Sequence, residues 1–465
     1  MIGAGLSGLS AAVRLAMFGK KVIILEKHFV VGGLNSFFAR KGRKFDVGLH
    51  AVTNFPSPNS GKASPLLRAC RQLRIPFDSL KLYPQSTSRI SFGSRDIRFN
   101  NDFDFFISEI EKNFPKEKDN FQALLQKMDA FDAYSVNVPD LSTRGILSNI
   151  FSDPLLGEML LCPTCYYGSA QENDIDFATF VMLFDAIFKQ GLARPNLGIR
   201  ALLDPLVEKI EELGVKRLMN SGVQKINSVH GVATEIILES EEIFTADQII
   251  STCGVVETEE LFNSSKLNST QSEEGKFSVI ETISVFAGEP SNFGWNETIV
   301  FYNDSEKFRY EQPKGSIDLS SGVICLPENY QDPENEGIKE ARLRITNPAN
   351  FSKWTSFNHE EYKREKEQCA SQMRDKAFSY LPNGGVQKND FLSATLMTDT
   401  FTPRTIKKYT HHANGALYGS PQKSRTGTTP LKNLFLAGTD QGYIGIVGAM
   451  LGGIAVANNR ILRPV

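Results

Sequence analysis

The sequence GAGLSG at residues 3–8 decides the fold, because Gly3, Gly5 and Gly8 have the G-x-G-x-x-G spacing of a dinucleotide-binding turn. In such a turn the first glycine allows the tight bend and the second lets the backbone approach a pyrophosphate. The third lets the following helix pack close to its strand, with the phosphates at the positive helix N-terminus. Glycine-rich turns are common, so the surrounding sequence has to supply the rest of the unit.

The residues after the turn complete a βαβ pattern. Residues 9–18 (LSAAVRLAMF) are rich in helix formers, and Gly19 is typical of a helix end. The β-branched segment 22–25 then predicts a strand that ends in Glu26, at about the right distance along the chain to bind a ribose hydroxyl. An ordinary βαβ unit with accidental glycines is the alternative, and the combined spacing and context disfavour it.

Only Met1 and Ile2 precede the first glycine. The first strand of this unit is normally central in a buried parallel sheet, so we expect the natural chain to extend upstream. Any targeting segment would lie in that upstream part, and the expected location is cytoplasmic or peripheral to a membrane.

The composition indicates a globular protein that does not bind nucleic acid. The chain has 465 residues, of which 41% are hydrophobic and 22% charged, and its net charge of −2 gives no electrostatic attraction for nucleic acid. No segment reaches the length expected of a membrane span. Cys162 and Cys165 form a single C-x-x-C pair without a nearby histidine, so no metal site is expected and two buried thiols are the favoured interpretation.

The pattern along the chain predicts two interleaved domains. An α/β pattern returns from Arg194 to Gly254, and no repeat or linker divides the chain. The intervening part has an apolar stripe on one helical face, which is more often core than the wall of a ligand site. The stripe consists of Phe177, Val181, Phe184 and Phe188.

Residues 431–440 (LKNLFLAGTD) predict a short strand that ends with Asp440 just past its carboxyl edge. A carboxylate there can hydrogen-bond a polyol, and the glycine-spaced helix that begins near Gly445 can approach a flat ring closely. On its own the segment could equally be a terminal βα unit with a solvated aspartate. Together with the opening turn it favours a cofactor site.

Over nearly the whole chain these motifs resemble FAD-dependent oxidoreductases of the amine-oxidase and phytoene-desaturase group. The segments 45–48 (FDVG), 402–405 (TPRT) and 415–419 (GALYG) are most similar to phytoene desaturases, carotenoid cis-trans isomerases and retinol saturases. The resemblance implies an α/β fold in which a Rossmann-type FAD-binding domain is interleaved with an α+β substrate-binding domain. The FAD-binding domain would comprise residues 1–80, 195–260 and 420–465, and the substrate-binding domain residues 81–194 and 261–419.

The resemblance also implies which residues contact FAD. Gly3, Gly5 and Gly8 would meet the pyrophosphate and Glu26 the adenosine ribose. The other implied contacts are Gly32, Gly33 and Ser36 on the flavin side, Val223 at the adenine, Gly438 and Asp440 in the terminal strand motif with Asp440 at the ribitol or pyrophosphate, and Gly448 and Ala449 beneath the isoalloxazine. Many relatives carry arginine after the double glycine, where this chain has Leu34, which weakens the transfer of a particular reaction.

The implied function is FAD-dependent desaturation, saturation or isomerisation of a lipophilic, carotenoid-like or retinoid-like polyene. Peripheral membrane contact is implied by family analogy alone. His50, just after Gly48, is the candidate proton donor or acceptor near the flavin, although a lone histidine is more often structural. His411, His412 and Tyr418 could line the pocket or belong to an ordinary loop.

Two alternatives stay open at this point. The main one is an amine oxidase, whose chemistry needs two aromatic rings around a substrate nitrogen, and Tyr443 is the one candidate ring. The other is a flavin-binding protein without turnover. The sequence indicates no oligomeric state.

Overall fold

The structure is a computed structural model that describes residues 1–56, 64–93, 95–262, 272–335, 337–382, 384–385 and 388–463. A small parallel sheet flanked by helices lies beside a larger mixed sheet, which is capped by a cluster of helices. The helices are α1 (Leu6–Ala16), α2 (Pro65–Leu73), α3 (Phe103–Asn113), α4 (Lys118–Asp129), α5 (Thr143–Ile150), α6 (Pro154–Gly168), α7 (Phe177–Phe184), α8 (Arg200–Glu212), α9 (Val255–Phe262), α10 (Phe351–Ser356), α11 (His359–Tyr380), α12 (Lys388–Ala394), α13 (Pro403–Thr410) and α14 (Gly445–Val456). The strands are β1 (Ile23–Leu25), β2 (Phe37–Arg40), β3 (Arg43–Asp46), β4 (Leu82–Pro84), β5 (Ser88–Phe92), β6 (Arg95–Phe99), β7 (Ala193–Pro195), β8 (Lys216–Leu218), β9 (Val223–Val229), β10 (Val232–Leu238), β11 (Ile243–Phe244), β12 (Ile249–Ser251), β13 (Ser278–Ala287), β14 (Ile299–Asn303), β15 (Ser321–Cys325), β16 (Glu340–Ala349), β17 (Thr395–Phe401) and β18 (Leu434–Leu436).

The parallel sheet joins distant parts of the chain around Ile2. β1 pairs with β8 and β12 pairs with β18, in both cases parallel. Ile2 makes parallel bridges to Leu25 of β1 and to Ser251 of β12, so it lies between the two strand pairs, and the carbonyl of Met1 beside it accepts a hydrogen bond from the N–H of Leu25. α1 packs against α8 and α14. The predicted α/β fold is confirmed, whereas the predicted domain boundaries stay a prediction.

The larger sheet has seven strands in the order β17-β13-β16-β15-β14-β5-β6. Neighbouring strands are antiparallel except β14 and β5, which run parallel. β13 and β16 have ten residues each and pair along their full length. Alternation of side chains gives this pair two different faces, because Ile280 packs into the apolar layer beside α11 while Val279 and Glu281 face a cavity.

Helices α3 to α7 cover one end of the larger sheet and share an aromatic core with it. The predicted stripe Phe177, Val181, Phe184 and Phe188 is buried in this core, and the rings of Phe106 and Phe188 stack with centroids 4.3 Å apart. The structure therefore confirms the core interpretation. Cys162 and Cys165 are buried free cysteines in the same cluster, as expected for two unrelated thiols.

One helical stretch exceeds the length that the sequence indicated. A wider, π-helical segment at residues 457–462 continues α14, so that Gly445–Leu462 forms 18 residues with a mean hydropathy of 1.3, long and apolar enough to span a membrane by length and composition. α14 packs on α1 through Gly453, where a Cβ would lie 2.1 Å from the carbonyl oxygen of Ser7. Core packing against α1 and α2 accounts for part of its apolar surface, since 44% of the stretch is buried.

Candidate cofactor and substrate site

A cavity of 960 Å³ lies between the parallel sheet and the larger sheet. Its volume is near the upper end of the range for small-molecule sites, about 300–1,000 Å³. The parallel-sheet side contributes glycine turns and strand ends, and the larger sheet contributes its exposed face. The wall contains Gly3, Gly5, Glu26, Gly32, Gly33, His50, Tyr166, Tyr167, Val223, Val279, Glu281, Val323, Thr346, Leu417, Tyr418, Gly438 and Ala449.

The backbone of the glycine turn lines the cavity at Gly3 and Gly5, where no side chain intervenes. Gly3 has φ +98°, and a Cβ there would lie 2.4 Å from Oγ1 of Thr252. A Cβ at Gly8 would lie 2.2 Å from the carbonyl oxygen of Gly3, so the third glycine permits close packing of α1 and lies behind the wall that the described residues form. Gly5 caps α1 without a side-chain hydrogen bond, which leaves the first N–H groups of the helix directed at the cavity.

Glu26 joins the end of β1 to the turn. Its Oε2 accepts a hydrogen bond of 2.6 Å from the N–H of Ala4, and its Oε1 accepts one of 2.8 Å from the N–H of His28. Glu26 and Val223 both line the cavity. The structure thus places the predicted ribose and adenine contacts on one wall, and their roles stay predictions.

The double glycine lies next to the glycine turn. Gly32 bridges to Gly5, and its N–H donates to the carbonyl of Ala4 at 2.9 Å. Gly32 and Gly33 both have positive φ and line the cavity. Ser36 is not part of the wall formed by the described residues, and its carbonyl accepts from the N–H of Val47.

The C-terminal motif lines the cavity with the backbone at Gly438 and with the start of α14. Gly438, with φ +110°, and Ala449 line the cavity, whereas a Cβ at Gly448 would meet the backbone of Tyr443. Asp440 is 4% exposed and lies outside the wall that the described residues form. Its carboxylate accepts from the N–H of Val255 (2.7 Å), the N–H of Ser420 (2.9 Å) and Nζ of Lys423 (3.2 Å). The side chain of Asp440 therefore links its own turn to the start of α9 and to the loop that holds Ser420 and Lys423. Its contact with the cofactor stays a prediction.

A polar group interrupts the otherwise apolar floor of the larger sheet. His50 Nε2 lies 3.2 Å from Oγ1 of Thr346 and 3.8 Å from Oε1 of Glu281. Glu281 accepts a hydrogen bond of 2.6 Å from Nε of Arg344, whose Nη1 donates to the carbonyl of Leu49. His50, Glu281 and Thr346 line the cavity, and Arg344 lies beneath them.

Charge in this group is set by burial and by neighbouring ions. Burial lowers the pKa of the His50 imidazole, against the opposing effect of Glu281. Burial also raises the pKa of Glu281, but Arg344 and His50 outweigh it and bring the pKa to about 2. At neutral pH the site therefore holds a neutral imidazole beside a carboxylate that is already balanced by arginine.

The remaining substrate-side wall is aromatic and aliphatic. Tyr166 and Tyr167 come from the end of α6, and the hydroxyl of Tyr418 donates to the carbonyl of Tyr166. Tyr443, the ring predicted for amine chemistry, is not among the described residues that line the cavity. Sequence reasoning missed Tyr166, Tyr167 and Glu281. A lone acidic residue in the apolar strand sequence SVIETISVFA was the available signal for Glu281.

The residues fit a dinucleotide. Backbone at Gly5 and Gly33 borders the cavity without side chains, and the uncapped N-terminus of α1 can accept a diphosphate. Among the described residues there is no group of three or more His, Cys, Asp or Glu that could hold a metal ion.

Comparison with known proteins decides the family. The family model described as "Flavin containing amine oxidoreductase" matches residues 6–459. The chain belongs to this family. As a member of the flavin-containing amine oxidoreductases, it is an FAD-dependent oxidoreductase.

The similar curated proteins come from the carotenoid and retinoid branch of the superfamily. Prolycopene isomerase 2, chloroplastic, of an Oncidium hybrid cultivar is 23% identical over 94% of this chain and 79% of its own length. All-trans-retinol 13,14-reductase of Danio rerio is 23% identical over 98% and 84%. 4,4'-diaponeurosporene oxygenase of Staphylococcus aureus is 22% identical over 90% and 87%.

Solved structures support the fold alone. An oxidoreductase from Methanosarcina mazei is similar with a TM-score of 0.67 and 18% identity, over 98% of this chain and 99% of that one. Putrescine oxidase bound to putrescine is similar with a TM-score of 0.62 and 17% identity, over 99% and 98%. At these identities the likeness carries no information about the substrate.

Proposed function

We propose that this flavin-containing oxidoreductase acts on a lipophilic polyene of the carotenoid or retinoid kind, by desaturation, saturation or isomerisation. The observation that carries the proposal is the substrate-side wall, where Val279, Val323 and Leu417 stand beside tyrosine rings and the carboxylate of Glu281 is balanced by Arg344. Such a wall suits an extended apolar molecule. The names of the carotenoid- and retinoid-modifying relatives support the same class.

The protein would hold and shield the cofactor. FAD supplies hydride acceptance and donation when it is bound. The N-terminus of α1 would bind the diphosphate and Glu26 the adenosine ribose, while Gly32 and Gly33 would leave room on the flavin side. The apolar wall would exclude water from the reacting carbons, which favours transfer to or from carbon.

His50 is the candidate proton carrier. Formation of a carbon–carbon double bond removes a hydride and a proton from the substrate, and saturation adds both. Burial keeps the imidazole of His50 neutral at physiological pH, so it can accept a proton, and Glu281 on the same wall would stabilise the resulting cation. Thr346 would orient the ring through its contact with Nε2.

Amine oxidation is the weaker candidate. Tyr443 lies outside the wall that the described residues form. Among those residues, the one carboxylate on the floor of the larger sheet, Glu281, has an arginine partner, so it offers little to an ammonium group. Family membership disfavours a flavin-binding protein without turnover.

Anaerobic spectroscopy of the purified holoenzyme tests the proposal. A carotene, a retinoid and a primary amine are each added to oxidised and to reduced enzyme, while flavin absorbance is recorded and the products are separated by chromatography. We expect a polyene to bleach oxidised flavin, to reoxidise reduced flavin, or to be isomerised by the reduced form. Reaction with the amine alone would overturn the polyene assignment. If none of the three compounds changes the flavin absorbance or is converted, the alternative of a flavin-binding protein without catalytic activity would be favoured.

A further inference from the structure

We propose that the end of α13 supplies positive charge that holds the diphosphate of FAD. The part concerned is residues 407–412, which follow the TPRT segment and line the cavity. α13 belongs to the predicted substrate-binding domain, so this domain would take a direct part in cofactor retention. The inference does not depend on which substrate reacts.

α13 is placed over the loop that joins the predicted cofactor contacts. The helix packs against the short turn Gly33–Asn35 that follows the double glycine. At its end the ring of Tyr409 meets the ring of His28 edge-on, with centroids 5.1 Å apart. His28 in turn donates its N–H to Glu26. The helix end therefore borders the dinucleotide half of the cavity.

The charges along the cavity wall call for a cation in this half. The described side chains of the whole cavity wall include three lysines and four glutamates, of which Glu281 is already paired with Arg344, before the doubly negative diphosphate is added. Lys27 is engaged by Glu239 at 2.6 Å. The two other lysines, Lys407 and Lys408, both belong to α13.

Both lysines are available to an anion. Lys407 Nζ donates to the carbonyl of His411 at 2.8 Å, and Lys408 Nζ lies 5.2 Å from the ring centre of Tyr409. In the described part of the chain neither has a carboxylate partner within ion-pair distance. Leu34 brings no cation from the double-glycine turn. A bare helix C-terminus would repel an anion, so the lysines are needed to reverse the sign of the local field.

FAD release from the holoenzyme tests this assignment. Flavin fluorescence after dilution is followed for the parent and for the variant Lys407→Gln/Lys408→Gln at low and high ionic strength. We expect release from the variant to be roughly ten to a hundred times faster at low ionic strength, because a charge-assisted contact is lost at each position. The difference should shrink at high ionic strength, where salt screens both lysines.

Arg404→Gln is the matched control. Arg404 lies on the same helix, is exposed, and holds its guanidinium over the ring of Tyr362 rather than in the cavity wall. It should release FAD at the parental rate, as should Lys407→Arg/Lys408→Arg. Parental release from the double glutamine variant would overturn the proposal, and so would equal acceleration by Arg404→Gln.

Riboflavin lacks phosphate, so its binding shows whether the variant has lost a contact with the diphosphate or has a generally looser flavin site. Its affinity for the deflavinated proteins should be the same in the parent and in Lys407→Gln/Lys408→Gln, and their melting temperatures without cofactor should agree. An equal loss of riboflavin affinity would overturn the assignment to the diphosphate.

Discussion

Glu281 on the floor of the cavity forms an ion pair with Arg344 beneath it, and its carboxylate accepts a hydrogen bond of 2.6 Å from Nε of Arg344. The two side chains are 11% and 3% exposed. Glu281 lies on β13 and Arg344 on the neighbouring β16, so the pairing of these two strands brings the charges together. Because both charges are buried, the floor of the site is sensitive to any change in either partner.

Glu281→Gln should destabilise the protein by about 3–5 kcal/mol, because it leaves the buried guanidinium of Arg344 without its counter-ion. Chemical denaturation at neutral pH measures the change in the free energy of unfolding. Glu239→Gln is the control, since its pair with Lys27 is exposed and should be worth at most about 1 kcal/mol. Equal effects of the two substitutions would contradict the buried pairing.

Acid should lower the folding stability of the unmodified protein, because it protonates the carboxylate of Glu281. The pKa of Glu281 is about 2 in the folded protein, below its ordinary value of 4.5, because Arg344 and His50 outweigh the opposing effect of burial. Its contribution is present above pH 4.5 and is lost as the pH falls toward 2. That contribution is on the order of 3 kcal/mol.

The difference in unfolding free energy between the parent and Glu281→Gln should therefore become smaller as the pH falls from 4.5 toward 2. Unfolding free energies of both proteins, measured by denaturant titration at each pH, give the comparison. A constant difference would mean that the ionised carboxylate is not what stabilises the floor.

His50→Gln should slow turnover by about 10²- to 10⁴-fold if the imidazole carries the proton. FAD content should stay parental, because His50 does not belong to the glycine turns that border the dinucleotide half. His359→Gln, at the exposed start of α11, is the control. Single-turnover kinetics across pH measure the effect, and full activity of His50→Gln would remove His50 from the mechanism.

Gly5→Ala should lower the affinity for FAD, whereas Gly8→Ala should lower the stability of the fold. Gly5 has φ −72°, and the nearest atom to its Cβ would be 4.0 Å away, so the variant should fold normally and bind FAD more weakly because the methyl group enters the cavity. Gly8→Ala places its Cβ 2.2 Å from the carbonyl of Gly3, so the protein itself should be destabilised. Melting temperatures without cofactor and FAD dissociation constants separate the two outcomes, and the same pattern in both variants would contradict this account.

The sequence predicts the parts of the site that depend on local geometry. The glycine spacing, the strand that ends in Glu26 and the strand before Gly438 are all set by neighbours in the chain, and the structure brings them to one cavity. The same local patterns do not predict the direction of the Asp440 side chain. Gly438 has φ +110° and a short turn of helix follows it, which directs the carboxylate at Val255 and Ser420 instead of the cavity.

The substrate side depends on long-range pairing, which no short pattern encodes. Glu281 meets Thr346 because β13 and β16 pair in one particular register, and a shift of one residue would move Glu281 to the opposite face. His50 reaches both from a loop more than two hundred residues earlier. Such contacts follow from the assembled sheet rather than from the composition of any one segment.

The position of β18 also has a consequence for how the protein is made. β18 pairs with β12, and Gly438 and Ala449 complete the cavity wall. A nascent chain that does not yet include these residues therefore has only part of the cofactor site. The larger sheet can form earlier, since its last strand ends at Phe401. During synthesis the sheet of the substrate side would thus fold first, and flavin could be captured only after the segment that carries β18 and α14 has left the ribosome.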